Sequence, residues 1–196
     1  MLKAVLFVNG YPLSGKDSFA DALKVICREK DVHVLKISTV DLPKKALMVL
    51  GWDGVTKDEA ARAMLHEMKM SWSKHMDGSF QYVQRALNIA DGMESDCIVL
   101  VDSREPAELA RFKEAFGGPL FMQWTPSMGG KPGFNAKTLF VQRENSGRAN
   151  NDADMNVENF TYDIVVTNRD FPETADANAW VAHLEDEARR VLLAIL

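Results

Sequence analysis

The chain has 196 residues, 46% of them hydrophobic and 26% charged, with a formal net charge of −5. That is long enough for one well-cored α/β domain and short for two, and the absence of repeats or low-complexity tracts excludes a solenoid or a disordered chain. The acidic balance argues against a large nonspecific nucleic-acid surface; with no signal peptide and no apolar run near the roughly twenty residues that span a bilayer, a cytoplasmic protein with no membrane partner is expected.

Leu2 to Asn9, with the apolar run Ala4-Val5-Leu6-Phe7-Val8, is expected to be a buried central strand, and Gly15 to about Arg28 a helix. The segment between them, Gly10-Tyr11-Pro12-Leu13-Ser14-Gly15-Lys16-Asp17-Ser18, matches the phosphate-binding pattern G-x-x-x-x-G-K. In a strand, Gly-rich turn and helix, the N–H groups of the turn and of the first helical turn surround an anion, and the helix dipole adds partial positive charge. Lys16 then supplies a full charge to the β- and γ-phosphates. Gly10, Ser14, Gly15, Lys16, Asp17 and Ser18 are therefore the expected contacts for ATP. Most such loops place Ser or Thr after the lysine to hold Mg²⁺; here Asp17 stands there and Ser18 follows. A carboxylate is also a hard oxygen ligand, so both are candidate metal ligands.

The Gly-Lys-Asp-Ser ending resembles the loop of phage T4-type deoxynucleoside monophosphate kinases, whose motif ends in Gly-Lys-Asp-Thr. It is also similar to that of animal phosphomevalonate kinases, which share Gly-Lys-Asp. The resemblance implies a small P-loop kinase using ATP and Mg²⁺. By likeness to nucleoside monophosphate kinases it implies a three-layer α/β sandwich with five parallel strands in the order 2-3-1-4-5.

Val32 to Ile37 reads as the second strand, ending at Ser38-Thr39-Val40-Asp41. Ligands of open α/β sheets gather at the carboxyl ends of strands, which makes Ser38 and Asp41 candidate acceptor contacts; Asp41 is equally a candidate helix cap. A helical, acceptor-binding region is expected over about 40–95, with turns at Gly51-Trp52-Asp53-Gly54 and Asp77-Gly78. Ala60, Met64, Leu65, Met68 and Trp72 share one helical stripe, expected to face the core. Trp52 could stack on a base and Arg62 pair with an anion, against the alternatives of a turn tryptophan and a solvated arginine.

Cys97-Ile98-Val99-Leu100-Val101-Asp102 is an apolar strand ending in a carboxylate, the Walker B form, so Asp102 is a third candidate metal ligand. Arg104 follows at the mouth of the site, where a cation can hold acceptor phosphate or developing charge; the alternative is a salt bridge to Glu105 or Glu108. Cys27 and Cys97 lack a second cysteine or histidine at ligand spacing and read as reduced core residues. Ser103-Arg104-Glu105-Pro106-Ala107-Glu108-Leu109 resembles the Asp-Val-Arg stretch of T4-type kinases. Together with Ser38 to Asp41 and the Gly-Trp-Asp-Gly turn, it resembles small P-loop kinases of phages and bacteria.

Pro106 should start a helix running to Phe116, and Pro119 to Thr125 should be the fourth strand. From about 126 to 151 the chain is rich in Gly, Pro, Asn and Ser and carries Lys131, Lys137, Arg143 and Arg148; it is expected to be a lid whose Arg143 and Arg148 close on the phosphates. Tyr162 to Asn168 is the expected fifth strand, and Asn168 lies where nucleoside monophosphate kinases often hold adenine. A last helix, about Ala175 to Leu196, should bury Trp180, Leu184, Ala188 and Leu192. The expected reaction is transfer of the ATP γ-phosphoryl group to a small-molecule acceptor, a deoxynucleoside monophosphate or similar nucleotide. The alternatives are an alcohol, such as a hydroxymethyl base in phage DNA, and a nucleotide-binding protein without turnover.

Overall fold

A computed structural model describes residues 1–56, 58–117, 134–144, 157–169 and 177–196. The first strand, β1 (Leu2–Asn9), is followed by α1 (Lys16–Arg28), β2 (Val32–Ser38), α2 (Asp41–Val49), α3 (Glu59–Met76), α4 (Gly78–Asp91), β3 (Asp96–Asp102) and α5 (Pro106–Gly117). Then come β4 (Asn135–Arg143), a 3₁₀ turn (Val157–Asn159), β5 (Ile164–Asn168) and α6 (Ala177–Ile195). The strands form one sheet in the order β2-β3-β1-β4-β5, and every neighbouring pair is parallel. This is the sheet order of the P-loop nucleoside monophosphate kinase-like fold, as expected.

Parallel strands need crossovers, and helices filling those crossovers cover both faces of the sheet. On one face Leu6, Val8, Ile98, Leu100, Leu139 and Val141 pack with Phe19, Leu23 and Ile26 of α1 and with Ala188, Val191 and Leu192 of α6. On the other, Val5, Phe7, Val99 and Val101 pack with Val83 and Leu87 of α4 and with Leu109, Phe112 and Phe116 of α5. Leu184, Ala188 and Leu192 are buried as their stripe predicts, whereas Trp180 is only half-buried. Both cysteines are buried thiols, and burial pushes Cys27 up to about 11, which keeps it protonated and inert.

Two expectations are corrected. The strand beside β1 is Asn135–Arg143, inside the stretch read as a lid, so Lys137 and Arg143 belong to the sheet. Its apolar centre, Thr138-Leu139-Phe140-Val141, is fully or almost fully buried, a burial that a lid would forfeit. The expected strand over 119–125, Lys131 and Arg148 lie outside the described residues. The second correction is α3. Its Met-rich stripe is not core: Ala60 and Met64 are exposed, Leu65, Met68 and Trp72 are half-buried, and the one buried residue of the helix is Lys69. Lys69 pairs with Glu105 and with Glu108, the latter at 2.9 Å, so an ionic contact fixes α3 to the start of α5.

Candidate active site

The ends of β1, β4 and β5 and the segment after β3 meet at the loop between β1 and α1. Asn9 ends β1; its Oδ1 accepts from Gly10 N at 2.7 Å, while its Nδ2 donates to the Arg104 carbonyl and to the Tyr162 hydroxyl at 3.2 and 3.0 Å. One side chain thus ties the start of the loop to the segment just after β3 and to the segment just before β5. Gly10 (φ 153°) and Gly15 (φ 91°) are required by their neighbours: a Cβ at Gly10 would lie 2.1 Å from the Val141 carbonyl oxygen of β4, and one at Gly15 would lie 2.2 Å from Asn168 Nδ2. Leu13, at the exposed crest of the loop, also has positive φ.

Ser14 is fully buried in this loop, and its Oγ has no hydrogen-bond partner among the described residues. A buried hydroxyl without a partner is costly in a folded protein, and one beside a helix N-terminus is suited to an incoming anion. Lys16 Nζ donates to the carbonyls of Gly10 and Tyr11, both at 2.6 Å, folding its charge over the loop. Ser18, half-buried, lies in the first turn of α1.

The two carboxylates expected to hold metal do come together. Asp17, on the first turn of α1, and Asp102, at the end of β3, both contact the ammonium of Lys36 on β2, Asp102 at 3.2 Å. Their convergence on one cation fits a divalent ion held by hard oxygen donors. The Lys36 hydrogen bond holds the Asp17 carboxyl below its ordinary range against the opposing effect of burial, with smaller help from Lys16 and Lys44. Burial dominates at Asp102 and pushes its carboxyl up, although Lys36 and Lys16 pull the other way. Among the described residues no group of three or more His, Cys, Asp or Glu is arranged to hold a metal, so any ion here would take its remaining ligands from substrate and water.

Lys36 is the site residue that sequence reading missed. The available signal was a lysine set among Val34, Leu35 and Ile37, two residues before the end of the strand. Register places Lys36 opposite Leu100 and Ser38 opposite Asp102, so Lys36 and Asp102 project from the face that α1 covers.

Arg104 is exposed and makes no ion pair among the described residues, because Glu105 and Glu108 are engaged by Lys69. Burial raises the Glu105 carboxyl, but Lys69 outweighs it and keeps that group below its ordinary range. Ser103 Oγ donates to Glu108 at 2.7 Å, which completes a polar cluster under Arg104. Asp41 is not the cap of α2; Val40 is. The Asp41 Oδ2 accepts from Ser38 N at 2.7 Å and from the Tyr82 hydroxyl at 3.3 Å, linking the end of β2 to α4. Trp52 spends its indole N–H on the Thr56 carbonyl within its own turn, and Arg62 is exposed near the start of α3.

Asn168, expected near a base, is buried behind the loop. Its Nδ2 donates to the Ser14 carbonyl at 3.3 Å and its Oδ1 accepts from Trp180 Nε1 at 3.2 Å, so the amide braces the loop against α6. Arg143 is exposed at the end of β4, in register with Asn168.

No protein-family model matches the chain, and no curated protein matches it. Among solved structures it is similar to the APS kinase of Mycobacterium tuberculosis at 16% identity, covering 97% of this chain and 94% of that one with a TM-score of 0.40. It is also similar to the thymidylate kinase of Ehrlichia chaffeensis at 12% identity, 97% and 98% coverage and a TM-score of 0.41. The thymidylate kinase of Candida albicans gives 12% identity, 98% and 91% coverage and a TM-score of 0.41. Likeness at that level leaves the fold resting on the sheet order and the site on its own residues.

Proposed function

We propose that the protein is a P-loop kinase that transfers the γ-phosphoryl group of ATP to a small nucleotide, a deoxynucleoside monophosphate or a close relative. The observation that carries this reading is the buried Ser14 hydroxyl, without a partner among the described residues, in a loop of two positive-φ glycines at the start of α1, set beside Lys16 and the Asp17/Asp102 pair. Phosphoryl transfer asks for alignment and charge stabilisation more than for covalent chemistry. In this reading the loop N–H groups, Ser14 and Lys16 hold the phosphates, and Asp17, Asp102 and Ser18 hold Mg²⁺. The ion, when bound, neutralises charge on the phosphate oxygens. Arg104, which makes no ion pair among the described residues, holds the acceptor's phosphate, and Arg143 lends charge from the end of β4.

An anionic acceptor is favoured over an alcohol by Asp41. A base for an alcohol needs a carboxylate facing the acceptor, whereas Asp41 already receives hydrogen bonds from Ser38 N and Tyr82. The deciding experiment offers γ-labelled ATP with deoxynucleoside monophosphates, nucleosides, mevalonate phosphate and hydroxymethylated DNA. Label on a deoxynucleoside monophosphate is the expected result. Label only on an alcohol would replace the acceptor assignment, and ATP binding without transfer to any acceptor would replace the enzyme reading with a binding protein.

A further inference from the structure

Lys36 is not part of the G-x-x-x-x-G-K loop or of the strand ending in Asp102, yet its ammonium sits where both carboxylates meet. The side chain is 22% exposed, as is Asp102, while Asp17 is 92% exposed. Asp17 thus stays largely solvated, and Lys36 is the group that joins it to the less exposed Asp102. An ordinary surface ion pair joins two groups and contributes little. Here one cation bridges carboxylates from two elements at the position those carboxylates offer a divalent ion. An ammonium and a divalent ion placed together between those carboxylates would repel each other at close range.

We propose that Lys36 is an exchangeable counter-ion: it neutralises Asp17 and Asp102 while they carry no metal, and a divalent cation reaches them only by displacing it. The proposal deepens the kinase reading, on whose assignment of Asp17 and Asp102 as metal ligands it rests. Two carboxylates that have given up an ammonium must gain more from the incoming ion than two carboxylates that were bare. Free metal therefore binds weakly to the empty protein. Metal arriving with a polyphosphate brings extra oxygen ligands and overcomes the exchange, so the ion enters together with the nucleotide. Between turnovers, the ammonium keeps two like charges from repelling each other at the end of the sheet.

The test is a Mn²⁺ titration of the nucleotide-free protein, with free Mn²⁺ read by electron paramagnetic resonance. Lys36→Met keeps the length of the side chain and removes its charge; it should bind Mn²⁺ about tenfold more tightly than the unaltered protein. Lys36→Arg keeps the charge and should stay close to the unaltered affinity. A lysine that merely holds the two carboxylates in place predicts the opposite sign, because its loss lets them separate. Equal or weaker binding by Lys36→Met overturns the proposal, and so does equal tightening by both variants. A second readout needs no variant: amine acylation followed by mass spectrometry should show Lys36 reacting faster at saturating Mn²⁺, and an unchanged rate overturns the exchange. Titration with ADP in the presence of a chelator reads the phosphate loop separately. Tightened Mn²⁺ binding without any ADP binding would remove the nucleotide reading and leave the counter-ion; ADP binding with unchanged Mn²⁺ affinity would do the reverse.

Discussion

Lys16 does two things at once. Its ammonium donates to two carbonyls of its own loop in the nucleotide-free protein, and the same charge is suited to phosphate. Lys16→Ala should therefore lower phosphoryl transfer by at least about a hundredfold. Because the bonds it loses are partly buried and charge-assisted, the variant should also lose about 1 to 2 kcal/mol of stability. Urea unfolding beside a transfer assay checks both; turnover near that of the unaltered protein would remove Lys16 from the chemistry. The lysine's place after Gly15 was legible in sequence. Its resting partners were not, since a flexible four-carbon stem selects them only after the loop has folded.

At the scale of elements, buried ionic contacts replace the apolar packing that the Met-rich stripe of α3 led one to expect. Lys69 is 3% exposed and faces two carboxylates at the start of α5. Lys69→Ala leaves those carboxylates without their cation and should cost about 3 kcal/mol in urea unfolding, a loss that Glu105→Gln with Glu108→Gln should partly restore. A loss below about 1 kcal/mol would mean that water already screens the cluster. A second contact joins α5, β4 and the start of β5: Asp163 receives hydrogen bonds from Thr138 N and Thr138 Oγ1, both at 2.8 Å, and from Lys113 at 2.6 Å. Burial raises the Asp163 carboxyl, but these donors outweigh it and hold the group below its ordinary range. A carboxyl lowered by folding stabilises the protein above its unfolded value, near pH 4, and loses that contribution as pH falls through its folded value. Asp163→Asn should thus be less stable by about 1 kcal/mol at pH 7. The gap should close in unfolding curves taken below about pH 4, and a gap independent of pH would assign the loss to packing.

For the whole molecule, the loop proposed to hold phosphate is also a junction of the sheet. Asn9, Asn168 and the Val141 carbonyl fix it from β1, β5 and β4, so a ligand that binds the loop stabilises elements far apart in sequence. At about 100 times its dissociation constant, a nucleotide adds roughly 2.7 kcal/mol to folding. For a chain of this size that should raise the melting temperature by about 5 to 10 °C. A melting temperature unmoved by ADP or ATP, with Mg²⁺ present, would contradict the nucleotide site. None of the described helices is long and apolar enough to cross a membrane.

The sequence by itself determined the features written in contiguous residues. The apolar runs of β1 and β3, the loop from Gly10 to Ser18 and the terminal Asp102 are local patterns, and local sterics and hydrophobic periodicity suffice to read them. The strand order was legible only through resemblance to known kinases, and the sheet has that order. The tertiary structure alone decided the rest. β4 was hidden because its short apolar centre lies among Gly, Pro and Asn, and a strand of that kind is defined by its neighbour β1 more than by its own composition. Lys36 and Lys69 read as ordinary charges on a strand and a helix until folding brought distant carboxylates against them, 19 and 66 residues away in sequence for Lys36 and 36 and 39 residues away for Lys69. Coulombic attraction acts through space, at distances that chain connectivity does not encode, and so the charges that matter at this site acquired their roles only when the sheet closed.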